Sequence, residues 1–112
     1  MNAVKDKLIA LVGEELEAEN AIYPPFRSTH EGYAVLLEEV EEVKEALDFV
    51  DFDRGLLWEY IRQDAHDKAM RNAQDIEKQA VHLAAEAIQV AAMARKFQAI
   101  GKDMDVPGME VE

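Results

Sequence analysis

Five polar residues, Asp75, Gln79, His82, Glu86 and Gln89, follow the spacing i, i+4, i+7, i+11 and i+14, which is a single line along an α-helix. Apart from His82, Glu86 and Gln89, the stretch from Ala80 to Ala94 is apolar. Leu83 and Val90 flank the polar line on one side, and Val81, Ile88 and Ala92 flank it on the other. A helix that is apolar nearly all round is buried on most of its faces. One short chain cannot cover so much surface, so this segment predicts an oligomer. The rest of the chain agrees with helix: 5 Gly and 3 Pro stand in 112 residues, while the good helix formers are abundant. Nothing reads as a strand. The expected fold is all-α, a small helical bundle that associates through its long helices.

Four helices are expected. The first runs from about Ala3 to Glu19, carried by Val4, Leu8, Leu11, Val12 and Leu16. Asn20 to Ser28 contains Pro24-Pro25 and reads as a link. Ser28 with Glu31 three residues on is a capping-box pattern opening the second helix, which runs to about Phe49. Asp51 or Asp53 caps a third, with Leu56, Leu57, Trp58, Tyr60 and Ile61. A polar joint at Asp64 to Asp67 leads into the fourth, which ends near Ile100 with Gly101 as its stop. Residues 1–101 make a single helical domain on this reading, and 102–112 a mobile acidic tail.

Charge excludes several functions. With 24 acidic and 12 basic residues the formal net charge is −12. Nucleic-acid backbones and anionic membranes are repelled, whereas cations, and anions already bound to cations, are admitted. The absence of cysteine removes thiol catalysis, disulfides and zinc-thiolate sites. The apolar run within Met1 to Val12 is too short for a signal peptide, and Ala80 to Ala94 is too short to span a bilayer. The expected location is the cytoplasm.

On the second helix, Tyr33, Leu36, Leu37, Val40, Val43 and Leu47 form the main apolar stripe, and Val35, Ala46 and Phe49 form a second patch roughly opposite. Glu39 lies beside the main stripe. Glu42 falls inside the second patch with Glu38 at its edge, while Glu41 and Glu45 face solvent. Carboxylates three and four residues apart are neighbours, and crowded, partly buried ones hold a proton or a cation. Taken alone, Glu38 to Glu42 equally suits a solvated helix face. Glu86 adds weight, because a carboxylate in the middle of a buried helix requires a partner. A divalent cation shared by Glu39, Glu42 and Glu86 would supply one; His82, a turn away, or a basic side chain is the competing partner. All-oxygen ligands favour Mg²⁺ or Mn²⁺.

These residues resemble a family. Glu38-Glu39-Val40-Glu41-Glu42 matches the E-E-x-x-E of MazG-type nucleoside triphosphate pyrophosphohydrolases, and Glu86-Ala87-Ile88-Gln89 matches their E-x-x-D except at the last position. The surrounding segments, from His30 to Leu37 and from Glu86 to Met93, look like small phage- and prophage-type relatives, so the resemblance covers about Ser28 to Phe97. It implies Mg²⁺- or Mn²⁺-dependent hydrolysis between the α- and β-phosphates of a nucleoside triphosphate, of the nucleotide-housecleaning type, by a homodimer or homotetramer. Glu39, Glu42, Glu86 and Gln89 would be metal ligands, and Glu38 and Glu39 the catalytic carboxylates. His30, Arg71, Lys78, His82 and Lys96 are the candidate substrate-binding residues. Gln89 brings an amide oxygen but no charge. That departure leaves two rivals standing: a non-catalytic nucleotide- or metal-binding protein of the same fold, and an acidic protein-interaction module.

Overall fold

Pro24 decides where the first helix stops. In a computed structural model that describes residues 3–101, α1 spans Lys5–Ile22. Tyr23, immediately before the Pro24-Pro25 pair, is extended at φ −119° and ψ 145°, as the steric demand of a following proline requires. Its amide still donates to the Glu19 carbonyl at 2.9 Å. Helix α2 spans Thr29–Arg62 and α3 spans His66–Gln98. Among the described residues the chain is all-helical, and no helix is long and apolar enough to cross a membrane. The expectation for 102–112 lies outside the described residues.

The cap at the start of α2 forms with a shift. Ser28 Oγ accepts from the Glu31 amide at 3.1 Å, while the Glu31 carboxylate reaches one residue further back than a capping box, to the Arg27 amide at 2.6 Å. The separate third helix is not observed: α2 continues through Phe49 to Arg62. Asp51, read from the sequence as a cap, instead pairs with Arg54 one turn on at 2.9 Å. No proline interrupts this region, and an aspartate side chain with a helical partner has no need to end the helix.

The α2–α3 joint falls where the polar residues indicate. The Ala65 amide donates to Tyr60 O and the Asp64 amide to Ile61 O, the two bonds of a Schellman motif. Asp64 occupies its left-handed position at φ 54°, a conformation that favours glycine. At the far end of α3, Ala99 and Ile100 bond back to Lys96 and Phe97, and Gly101 follows.

The chain divides into two units, and the division passes through α2 and α3 without interrupting either helix. The first holds α1, α2 as far as Glu39, and α3 from Ile88. Its core is Val12, Phe26, Ala92 and Met93, with Leu16, Val35, Leu36, Ile88, Phe97 and Ile100 packed around them. Gly32 is required there: a Cβ at this position would stand 2.6 Å from the Phe97 ring and 3.1 Å from Phe26. The second unit, Val40–Ala87, buries Ala46, Ala69 and Asn72.

Much of the main apolar stripe expected on α2 is exposed, with Tyr33 at 62% and Leu47 at 52%, whereas Ala46, from the opposite patch, is 2% exposed. Val35 and Ala46 of the opposite patch thus pack inward together with Leu36 of the main stripe, while Phe49 of that patch is 51% exposed. On α3, Val81 is likewise left at 66% exposure.

Candidate metal centre and adjoining cavity

Glu39 and Glu42 stand one turn apart on α2, so their side chains leave the helix in nearly the same direction. In the second unit, Glu42 of α2 meets Glu86 of α3. Glu39 and Glu86 are half-buried, while Glu42 is exposed.

The electrostatics carry the mark of crowding. A hydrogen bond with the Glu86 side chain is the main reason that the Glu42 carboxyl titrates above its ordinary range. Desolvation and the Glu86 charge push the same way, and His82 opposes them. A cation beside them would relieve the crowding that raises the Glu42 carboxyl. Carboxylates are hard oxygen donors, the kind that suits Mg²⁺ or Mn²⁺.

His82 Nε2 lies 3.7 Å from Glu86 Oε1, with the imidazole 58% exposed and the carboxylate 18% exposed. The sequence offered a cation and His82 as rival partners for Glu86; both Glu42 and the imidazole lie beside it.

Gln89 is engaged elsewhere. Its amide nitrogen donates to Glu15 of α1 at 2.5 Å, so the side chain standing at the last position of E-x-x-D ties α3 to α1 within the first unit.

A cavity of about 380 Å³ opens in the first unit. Glu38 and Glu39 line it together with Glu19, Tyr23, Phe26 and Lys96. Lys96 is 5% exposed, and its Nζ donates to Glu19 Oε2 at 3.1 Å while lying 4.8 Å from the centre of the Phe26 ring. The charge is satisfied by a carboxylate on one side and an aromatic face on another.

The other proposed substrate contacts are dispersed. His30 is exposed in the first turn of α2 and makes no side-chain bond among the described residues. In the second unit, Arg71 borders a cavity of about 240 Å³ with Asp53, Lys68 and Asn72, and Lys78 borders another with Gln74 and Val81. Of the basic candidates, Lys96 is the one that shares a cavity with Glu38 and Glu39.

Sequence reasoning passed over Glu15, Glu19, Tyr23 and Phe26. A signal was present for two of them. Glu19 follows Val12 by seven residues and Glu15 follows it by three, which sets both against the packed side of α1.

Comparison with known proteins returned no matching family model, no matching curated protein and no matching solved structure.

Proposed function

We propose that the chain is a Mg²⁺- or Mn²⁺-dependent nucleoside triphosphate pyrophosphohydrolase of the MazG-like type. One observation carries this reading: the Glu42 carboxyl shares a hydrogen bond with Glu86, and Glu39, one turn back on the same helix, lines the 380 Å³ cavity. A cation held by Glu39, Glu42 and Glu86 would polarise the substrate's phosphates and lower the pKa of an attacking water. The carboxylates draw the polyanionic phosphate chain only in company with that cation, which accords with the chain's own acidic balance. Glu38, exposed on the cavity wall beside Glu39, is free to accept the proton of the water that attacks the α-phosphorus. The bond from the α-phosphorus to its bridging oxygen then breaks, leaving a nucleoside monophosphate and pyrophosphate.

The cavity also supplies what a nucleotide requires beyond its phosphates. Tyr23 presents a half-exposed ring, and Lys96 a fixed positive charge. Association of copies belongs to the same proposal. Tyr33, Leu37, Leu47, Phe49, Phe52, Trp58, Ile61 and Val81 are exposed along α2 and α3, and a second copy would cover them.

Gln89 favours one alternative, a protein of this kind that binds nucleotide without turnover. Its bond to Glu15 takes the amide nitrogen toward α1, and its neutrality removes one charge from the ligand set. A coupled pyrophosphate-release assay over ordinary and modified triphosphates, with Mg²⁺ or Mn²⁺, decides between them. Metal-dependent formation of pyrophosphate and monophosphate supports the enzyme. Metal-dependent stabilisation with no product supports the binder, and neither effect leaves the acidic interaction module.

A further inference from the structure

A lysine almost wholly withdrawn from solvent, with a glutamate partner that is itself mostly covered, is an unusual way to build a cavity wall. Side-chain exposure is 4% for Lys96 and 20% for Glu19. Such pairs add little stability over apolar residues of the same size, so their presence beside a cavity invites a role in recognition. The contact between them engages one Glu19 oxygen and one Lys96 proton, while a carboxylate carries a second oxygen and an ammonium two further protons. The cavity wall thus offers, side by side, carboxylate acceptors and an ammonium donor, with the Tyr23 ring, 57% exposed, on the same wall.

Resting on the reading that this cavity takes the nucleoside of a triphosphate, we infer that the Glu19–Lys96 pair selects guanine. Along its pairing edge guanine carries two neighbouring N–H donors, at N1 and N2, followed by the O6 acceptor. A carboxylate accepts from both donors as a fork, and an ammonium beside it donates to O6. No other common base matches that order. Adenine has a single donor group followed by an acceptor. Cytosine likewise has a single donor group, at N4, followed by the acceptors N3 and O2. Uracil flanks its one N–H with carbonyls, setting an oxygen against Glu19. Tyr23 supplies a stacking surface that is indifferent to base identity, which leaves the choice of base to the ion pair.

The test is binding of free nucleosides to the full chain in EDTA, by isothermal titration, so that neither metal nor hydrolysis is involved. Guanosine is expected to bind, with adenosine, cytidine and uridine each at least about tenfold weaker. Inosine keeps N1–H and O6 but lacks the N2 amino group, and is also expected to be about tenfold weaker than guanosine. The double variant Glu19→Gln with Lys96→Met, which removes both charges together, should bind guanosine and inosine equally. Equal affinity of the parent for guanosine and inosine, tighter binding of another base, or no binding of guanosine would overturn the assignment. The two readings fail separately. Selective guanosine binding without pyrophosphate release removes the hydrolase and keeps the base site. Release at equal rates from all four triphosphates removes guanine selection and keeps the hydrolase.

Discussion

Breaking the Lys96–Glu19 pair from one side should destabilise the fold far more than removing it whole. Glu19→Gln leaves the Lys96 ammonium, 4% exposed, without its counter-charge. Removing one partner of a fully buried pair costs about 3–5 kcal/mol. The 20% exposure of Glu19 and the Phe26 ring at 4.8 Å both soften the loss, giving about 2–4 kcal/mol. For a chain of this length each kcal/mol moves the melting temperature by about 4 °C, so a fall of roughly 8–16 °C is expected. Lys96→Met alone leaves a carboxylate that water reaches more easily, and should cost less. The double variant should melt near the parent or above it, because a well-packed apolar pair replaces two desolvated charges. Circular dichroism melts of the four proteins form a double-mutant cycle. If Glu19→Gln melts within about 2 °C of the parent, or the double variant falls by the sum of the two single losses, the pair is not coupled as described.

The two glycines of α2 should respond oppositely to alanine. Gly55→Ala meets no atom within 4 Å and should stabilise by about 0.5–1 kcal/mol, whereas Gly32→Ala drives a methyl into the Phe97 ring and should destabilise by about 1–2 kcal/mol net; urea melts giving the same sign for both would refute the close approach. Asp64→Gly relieves a left-handed aspartate and should raise stability by about 1 kcal/mol, a gain the same melts would show. Because the bond to Glu86 raises the Glu42 carboxyl, the folded chain holds that proton more tightly than the unfolded one. Metal-free stability should therefore grow as pH falls toward 4.5, the ordinary carboxyl value, and decline as pH climbs through the raised one. Glu42→Gln should remove this share of the pH dependence, and parallel profiles for the two proteins in EDTA would contradict it.

The helical class was legible because helix formers dominate, and the Pro24-Pro25 pair and Gly101 mark two of the helix ends. The continuity of α2 was not. Asp51 and Asp53 look like caps, and only the Asp51–Arg54 contact shows that a side-chain pairing within the helix suits Asp51 equally well. Glu39 and Glu42 could be grouped from one turn of helix, and Glu86 from its apolar surroundings. Which flank of α2 packs inward could not be judged, because two apolar flanks competed and only tertiary contact chose between them. The bonds of Gln89 to Glu15 and of Lys96 to Glu19 span 74 and 77 residues, distances over which helical periodicity says nothing.

The central claim is that Glu39, Glu42 and Glu86 share a divalent cation, and thermal melting of the parent and of Glu39→Gln, each in EDTA and in excess Mn²⁺, tests it most directly. At a Mn²⁺ concentration one hundred times the dissociation constant, mass action stabilises the fold by about 2.7 kcal/mol, a rise of roughly 10 °C. The parent should show that rise, and Glu39→Gln should lose most of it, since one of the proposed ligands has lost its charge. Identical parent curves in EDTA and in Mn²⁺ would contradict the account and leave His82 as the partner of Glu86.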